Sequence, residues 1–358
     1  MPEPDVDRLF AGMAEVPIVA APMAGGPSGP ELVAAVSRAG ALGFLAAAYK
    51  SADAVAAEIA ATRRLAEGPF GVNVFVPGDS AVDEAALEAY LAVLVPDAER
   101  LGVQLGDALW DDDDYAAKIE LLATDPVAVA SFTFGAPDDA TVRRLHEVGT
   151  QVIVSVTNAD EAAVATRAGA DALCVQGLEA GGHQGQFAND DSALAPLALH
   201  DALTAVRAAS SLPLLAAGGI VTGRQIAAAL RVGAIAAQIG TAFLAADEAG
   251  TNATHRAALS DPRFAETMLT RAFTGRPARG ILNRFMVEHP SAPAAYPQIH
   301  HATRPLRAVA AARGAADDLH LWAGVGFRRA TPDPAAVIIG RLMDEFRATT
   351  DAPEGLSG

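Results

Sequence analysis

The sequence of 358 residues has little of several features that mark particular classes of protein. Its single cysteine, Cys174, excludes an internal disulfide, and its place in an apolar run favours a small core residue. No apolar run reaches the roughly 18 residues that a membrane-spanning helix needs. The first ten residues are acidic and lack the basic start and apolar core of a signal peptide. We therefore expect a soluble, cytoplasmic protein.

Positive charge is also scarce. The chain has 26 basic and 43 acidic residues, and its formal net charge is −17. Nucleic acids and anionic membrane surfaces would be repelled by this charge, so we expect neither as a partner. Lysine occurs only at Lys50 and Lys118. Lys50 is a candidate substrate contact, since it could pair with an anionic substrate, or simply with a carboxylate.

What the sequence does have is a repeated alternation of apolar segments and helical patterns. The predicted strands lie at 17–24, 43–47, 70–76, 127–134, 151–156, 172–176, 212–217 and 234–239. Glycine ends the helix before a strand at Gly40, Gly149, Gly169 and Gly233, which is typical of repeated strand–helix units. No G-x-G-x-x-G follows the first strand, which argues against a dinucleotide-binding domain. We predict an α/β fold, a (β/α)8 TIM barrel with an inserted, mostly helical cap.

Two stretches interrupt the alternation. Residues 81–124 contain two helical patterns around the acidic run 111–114, and residues 246–302 contain helical segments with several prolines. The acidic run favours a solvated helix start, because carboxylates stabilise helix N-termini. A metal site there is less favoured, since no histidine lies nearby in the sequence. We predict a barrel domain over 1–245 and 303–350 with a helical insertion at 81–124, a cap or substrate region at 246–302, and a flexible tail at 351–358.

The residues suited to chemistry fall at the ends of predicted strands, where the active site of a barrel lies. Gly218-Gly219 and Gly240-Thr241 follow the last two strands and predict a phosphate site made of backbone N–H groups. A tight turn would explain one such glycine, but the pair favours phosphate. The amides of Asn73 and Gln176 can donate to and accept from the edge of an isoalloxazine ring, and Pro22-Met23 could lie against it. These features outline a site for flavin mononucleotide (FMN).

One histidine lies in a glycine-rich loop after the sixth strand. His183 stands among glycines at 177, 181, 182 and 185, where it is suited to proton transfer at neutral pH. The alternative is a flexible turn with a surface histidine. Tyr296 and His300, in the predicted cap, could border the pocket and are candidate substrate contacts. His146 and His200 lie in helical contexts and are expected at the surface.

Seven segments in this order resemble the FMN-dependent nitronate monooxygenase family, formerly called 2-nitropropane dioxygenases. They are PIVAAPMAGG, AAAYKS, FGVNVFVP, DALCVQGLEAGGHQGQF, LLAAGGI, AAQIGTAF and the Trp322-Ala323-Gly324 segment. The resemblance covers roughly residues 15–330 and implies a barrel domain that binds FMN. It also implies that His183 is the catalytic base. The candidate cofactor-binding residues are Ala21, Pro22, Met23, Asn73, Gln176, Gly181, Gly182, Gly218, Gly219, Gln238, Ile239, Gly240 and Thr241; no metal ligand is predicted.

The resemblance implies a reaction as well as a cofactor. A small nitroalkane or its nitronate would react with O2 to give a carbonyl compound and nitrite, with His183 removing a proton from the neutral form. Tyr49-Lys50 and the tryptophan segment favour this reaction, although Ala48 and Val325 depart from the family pattern. The alternatives are an FMN-dependent NAD(P)H reductase of enoyl thioesters or quinones, and a barrel that has lost its flavin. A monomer or a homodimer is expected.

Overall fold

The structure is a computed structural model that describes residues 13–190 and 196–351. Its strands are β1 Ile18–Ala20, β2 Leu42–Ala46, β3 Phe70–Phe75, β4 Val129–Thr133, β5 Gln151–Val156, β6 Ala172–Gln176, β7 Gly182–His183, β8 Leu214–Ala217, β9 Ala236–Ile239, β10 Thr267–Thr270 and β11 Ala278–Ile281. Its α-helices are α1 Pro30–Arg38, α2 Ala52–Leu65, α3 Glu84–Leu101, α4 Tyr115–Thr124, α5 Asp139–Glu147, α6 Ala159–Ala168, α7 Leu199–Ala209, α8 Gly223–Arg231, α9 Ala253–Ala258, α10 Arg284–Glu288, α11 Gln298–Arg313 and α12 Ala335–Thr350.

Eight parallel strands close into a barrel in the order β1-β2-β3-β4-β5-β6-β8-β9, and β9 pairs with β1. The barrel strands are almost wholly buried because the barrel interior covers one face and the helices cover the other. The four predicted helix-ending glycines have positive φ angles of 78 to 101°, which L side chains rarely adopt. The predicted (β/α)8 barrel is confirmed, and Cys174 is buried in it.

The first strand ends earlier than predicted. It stops at Ala20, whereas the apolar run continues to Ala24. Pro22 has no N–H to donate to a neighbouring strand. The Ser28 hydroxyl instead closes a turn, because it donates to Ala21 O at 3.0 Å and accepts from Met23 N at 2.8 Å. The turn places residues 21–24 above the barrel.

Two helices lie in a different layer from the one predicted. Helix α4, expected within a single helical insertion, packs on α2, α5 and β3 and so is the barrel helix that follows β3. Helix α3 packs against α11 in the cap. Because α11 begins at Gln298, the predicted boundary between residues 302 and 303 falls inside a helix and is wrong there. Helix α12 packs on α1 and α8 and closes the barrel. The rest of the domain division stays a prediction.

The cap also contains a small sheet that the sequence did not predict. Strand β11 pairs antiparallel with β10 on one side and with β7 on the other. Ala278 lies opposite His183, and Arg279 lies opposite Gly182. The cap is therefore mixed α and β, and its sheet includes the loop that carries His183.

The acidic run before α4 is not simply a solvated helix start. Asp113 Oδ1 accepts a hydrogen bond from Tyr49 N, and Asp114 Oδ2 accepts one from Ala52 N, both at 2.8 Å. His301 Nε2 lies 2.8 Å from Asp111 Oδ2, so a histidine does lie nearby in space. These carboxylates connect the loop to the chain after β2 and to the cap. The predicted tail lies outside the described residues apart from Asp351.

Candidate active site

A cavity of about 540 Å³ opens at the carboxyl ends of the barrel strands, beneath the cap. It brings together residues from the ends of all eight barrel strands, or from the loops that follow them, and residues of the cap. Most of the predicted site residues line it: Ala21, Pro22, Met23, Asn73, Gln176, Gly181, Gly182, His183, Gly218, Gly219, Gln238, Gly240, Thr241 and His300. Ile239, Lys50 and Tyr296 do not.

Ile239 was predicted at the cofactor, but its side chain does not line the cavity. Its side chain is 1% exposed and packs in the core between the strands and the helices. The reason is the alternation of a β-strand, which directs Gln238 and Ile239 to opposite faces. The side chain of Ile239 therefore does not face the cavity, and a cofactor contact through its backbone stays a prediction.

One end of the cavity offers free backbone donors. The N–H groups of Gly218, Gly219, Gly240 and Thr241 donate to no acceptor within residues 13–190 and 196–351. Gly218 has φ of 119°, and a Cβ there would lie 3.0 Å from Gly177 O. Unpaired N–H groups converging at strand ends are a typical anion site. This end of the cavity therefore fits a phosphate group.

The two predicted amides line the cavity at different points of the barrel, because Gln176 of β6 pairs with Ala217 next to Gly218, whereas Asn73 lies on β3, three strands from β9. Asn73 Nδ2 donates to Ser131 Oγ at 2.9 Å and Thr133 Oγ1 at 3.0 Å. Gln176 Nε2 donates to His183 O at 3.1 Å, and its Oε1 accepts from Gly185 N at 2.7 Å. Gln176 thus has a role that the sequence did not indicate, because it fixes the loop on both sides of Gln184.

The glycines of this loop allow close packing against other segments of the chain as well as close approach of the backbone to a ligand. A Cβ at Gly181 would lie 2.4 Å from Gly324 N, so glycine is needed where the loop crosses the Trp322-Ala323-Gly324 segment. Gly182 has φ of 74° and nothing within 4 Å of a built Cβ. Its requirement is conformational.

His183 is held firmly rather than carried on a flexible turn. It belongs to β7, and its Nε2 lies 2.9 Å from Thr274 Oγ1. The ring centroids of Phe134 and Tyr296 lie 5.7 Å from the imidazole, and that of Trp322 lies 5.8 Å away. These aromatic rings pack around the imidazole, which lines the cavity.

The protonation state of His183 follows from this environment. Burial lowers the pKa of His183 to about 3, and the charges of Arg276 and Arg307 lower it further. The imidazole is therefore neutral at neutral pH. Thr274 Oγ1 lies 3.2 Å from Arg276 O and 2.9 Å from His183 Nε2, and when its one hydrogen is donated to Arg276 O it accepts from His183 Nε2–H. This network leaves the lone pair of His183 on Nδ1.

A second cavity of about 560 Å³ adjoins the first and contains the remaining predicted residues, Lys50 and Tyr296. The two cavities share Tyr49 and His300, whose rings are stacked with centroids 4.0 Å apart. Tyr296 Oη donates to Tyr49 Oη at 3.2 Å. Lys50 Nζ is 2.7 Å from Glu58 Oε2, so the structure pairs Lys50 with a carboxylate of its own chain.

Comparison with known proteins identifies the family to which this chain belongs. A sequence profile of the nitronate monooxygenase family matches residues 8–345. The nitronate monooxygenase of Pseudomonas aeruginosa is 41% identical over 341 residues, which are 92% of this chain and 96% of the relative. The chain belongs to the nitronate monooxygenase family. It is an oxidoreductase. A probable nitronate monooxygenase of Staphylococcus aureus is 34% identical over 336 residues, which are 93% of this chain and 94% of the relative.

Solved structures similar to this family member are of two kinds. A nitroalkane oxidase from Streptomyces ansochromogenes has a TM-score of 0.93 and 49% sequence identity, and the match covers 96% of this chain and 100% of that chain. FabK from Thermotoga maritima has a TM-score of 0.73 and 25% identity over 98% of both chains. The closer similarity is to the oxidase.

Several residues of this oxidoreductase's cavity were missed by sequence reasoning. Thr251 Oγ1, His255 Nε2 and His320 Nδ1 belong to lining residues and have no hydrogen-bond partner in the described part of the chain. Burial lowers the pKa of His255 to about 4, against a backbone hydrogen bond at Trp322, so its imidazole is neutral. Unpartnered polar atoms on a cavity wall are what a polar ligand would satisfy.

Arg307 was missed as well, although a signal was present. His300, Thr303 and Arg307 follow a spacing that puts them on one face of a helix. The sequence predicted that this helix begins at 303 and belongs to the barrel, so the alignment of His300 with Arg307 was not visible. His146 and His200 are exposed, as predicted.

Proposed function

We propose that this protein is an FMN-dependent enzyme that oxidises nitronates with O2 to a carbonyl compound and nitrite. The observation that carries the proposal is that a single cavity is lined both by the residues whose four backbone N–H groups are unpaired within the described residues and by the neutral His183. The first suits a cofactor phosphate, and the second suits chemistry on a small substrate. The family relationship supports the same reaction.

The residues present fit FMN. Gly218, Gly219, Gly240 and Thr241 would hold its phosphate through their backbone N–H groups. Met23 of the turn after β1 and the amides of Asn73 and Gln176 also line the cavity and would contact the ring. When bound, FMN would supply the redox chemistry by accepting electrons from the substrate and passing them to O2. The protein itself would bind, orient and exclude water.

His183 is the proposed general base for a neutral nitroalkane. In the tautomer whose Nε2–H donates to Thr274 Oγ1, Nδ1 is the atom that would take the proton. A base works best when its pKa is near the pH of the reaction, and the pKa of His183 is lowered to about 3. The free enzyme is therefore a weak base. A nitronate has already lost this proton, so the site favours the nitronate over the nitroalkane.

The cap side of the cavity would hold the substrate. Tyr296 and His300 are the proposed contacts here, since Tyr296 packs against His183 and His300 lines the cavity. Burial raises the pKa of Tyr296 and lowers that of His300, so both side chains are uncharged at neutral pH. An uncharged aromatic wall suits the alkyl part of a small nitro compound.

The His183→Asn variant tests the assignment of the base. We expect turnover of nitroethane to fall by about 10²-fold, the lower end of what a positioned base contributes because His183 is a weak base, while turnover of ethylnitronate falls much less. Both rates are measured as nitrite release from FMN-loaded protein. His200→Asn, at an exposed helical position, is the matched control. An equal loss on both substrates would show that His183 is not the base.

The sequence leaves open an alternative, an FMN-dependent NAD(P)H reductase of enoyl thioesters or quinones. It makes a different prediction for the flavin. Under anaerobic conditions NADH should bleach the flavin of a reductase rapidly, whereas ethylnitronate should reduce the flavin of a nitronate-oxidising enzyme. A protein that purifies colourless and does not bind added FMN would contradict both readings.

A further inference from the structure

Two arginines of α11 line the cavity without any acidic partner. Arg304 is exposed and makes no hydrogen bond or ion pair within residues 13–190 and 196–351. Arg307 is 8% exposed and has no carboxylate within ion-pair distance in the same residues. Acidic residues outnumber basic ones by 43 to 26 in this chain. A buried guanidinium without a counter-ion carries a desolvation cost that an anion would offset.

The hydrogen bonds of Arg307 fix its direction. Nε donates to Thr303 Oγ1 at 3.1 Å, and Nη2 donates to His300 O at 2.7 Å. Both partners lie one or two turns back along the same helix, so the guanidinium is held flat against α11. Nη1 donates to no residue in the described part of the chain, while the residue lines the cavity. Two N–H donors thus remain for a ligand.

The position of Arg307 suits a substrate beside His183. Its charge is near enough to lower the pKa of His183, and the ring of His300, whose carbonyl it binds, is 6.4 Å from that of Tyr296. Tyr296 in turn packs on His183. Arg276, the other nearby guanidinium, donates to Gln186 O, lies 3.8 Å from the Phe134 ring centre, and lines only the second cavity. Arg307 is thus the buried cation that faces the first cavity.

We propose that Arg307 is a specificity-determining residue that binds the anionic oxygens of the substrate and so selects a nitronate over its neutral nitroalkane. The inference rests on the proposed function and names the residue that gives the site its preference. A guanidinium has planar, fixed donors that match the two coplanar oxygens of a nitronate. A neutral nitro group has the same shape but gains far less from a full positive charge. Selection then arises in binding, before any chemistry.

Steady-state kinetics of Arg307→Gln test this. We expect the KM for ethylnitronate to rise about tenfold or more, the usual effect of losing a hydrogen bond to a charged group, with the KM for nitroethane unchanged. Arg307→Lys should recover part of the loss, since it restores the charge without the planar donors. Arg313→Gln removes the same charge from an exposed position on α11 and should leave both KM values unchanged. An equal rise for both substrates, or no rise for the nitronate, would overturn the proposal.

A binding measurement separates this proposal from the proposed reaction. Calorimetric titration of the FMN-loaded protein with nitrate, a planar anion, should show saturable binding that Arg307→Gln abolishes and Arg313→Gln retains. This holds even if ethylnitronate is not oxidised, a result that would refute the reaction but leave the anion site standing. If Arg307→Gln does not fold, Arg307→Lys should bind nitrate more weakly than the wild type. Absence of saturable nitrate binding in the wild type would contradict an anion site at Arg307.

Discussion

Replacing Lys118 with methionine tests the buried ion pair that holds Tyr49 at the boundary of the two cavities. Lys118 is wholly buried, its Nζ lies 2.9 Å from Asp113 Oδ2, and it also donates to Asp113 O. Asp113 Oδ1 accepts from Tyr49 N at 2.8 Å. Tyr49 has φ of 66°, an uncommon conformation for a residue with a side chain, so it depends on these contacts.

The size of the effect follows from the burial of the pair. Removing one partner of a buried ion pair leaves an uncompensated charge and destabilises by about 3–5 kcal/mol. Burial raises the pKa of Asp113 even though hydrogen bonds from Lys118 and Tyr49 oppose the rise, and the variant should raise it further. A carboxyl group with a raised pKa in the folded state contributes stability at low pH and loses it as the pH rises through that pKa. The deficit of Lys118→Met should therefore be larger at about pH 8 than at about pH 5.

Urea unfolding followed by circular dichroism measures this deficit, with wild-type and variant proteins loaded with the same flavin. Adding Asp113→Asn to Lys118→Met should recover much of the loss, because it removes the unpaired charge. Lys50→Met, which breaks the more exposed pair with Glu58, should lose at most about 1 kcal/mol. A loss below about 1 kcal/mol for Lys118→Met at the higher pH, or a deficit that does not shrink at the lower pH, would refute the reasoning.

Two further predictions concern the glycines after β8, proposed to hold the phosphate of FMN, and a carboxylate of the cap. Gly218→Ala should weaken FMN binding, measured by quenching of flavin fluorescence. Gly218 has φ of 119°, and an added Cβ would lie 3.0 Å from Gly177 O. Gly340→Ala is the control and should not weaken binding, because there is open space around an added Cβ at Gly340. In the cap, burial alone would raise the pKa of Asp97, but hydrogen bonds from Arg100 and others lower it overall. Such a carboxylate stabilises the fold above its unfolded pKa of about 4 and loses that contribution as the pH falls. In Asp97→Asn the free energy of unfolding, measured in urea, should therefore decrease less steeply as the pH is lowered. An unchanged decrease would contradict this.

The barrel could be predicted from the sequence because its signals are local. Each strand is a short apolar run, and each of four helices before a strand ends at a glycine that the structure shows at positive φ. The free donors at the phosphate end were predicted for the same reason, since they follow directly from where β8 and β9 stop. Ile239 shows the limit: only the alternation within the strand distinguishes its side chain from that of Gln238.

The cap could not be predicted in the same way. Strand β7 has two residues, and its partner β11 lies about 95 positions later, so no local pattern marks the pairing. His183 therefore looked like part of a flexible loop, while the structure holds it in a sheet. Arg307 could not be predicted because its role depends on the position of α11 over the barrel. That position depends on packing against α3 and not on the sequence of α11 alone.

The proposed activity of this family member is the oxidation of nitronates at a flavin site that includes His183. The most direct test is the reaction of the purified, FMN-loaded protein with ethylnitronate in air, following O2 uptake and nitrite release together. We expect a yellow protein that consumes O2 and releases nitrite, with a lower KM for ethylnitronate than for nitroethane. A flavin that NADH reduces rapidly while ethylnitronate leaves it oxidised would contradict it.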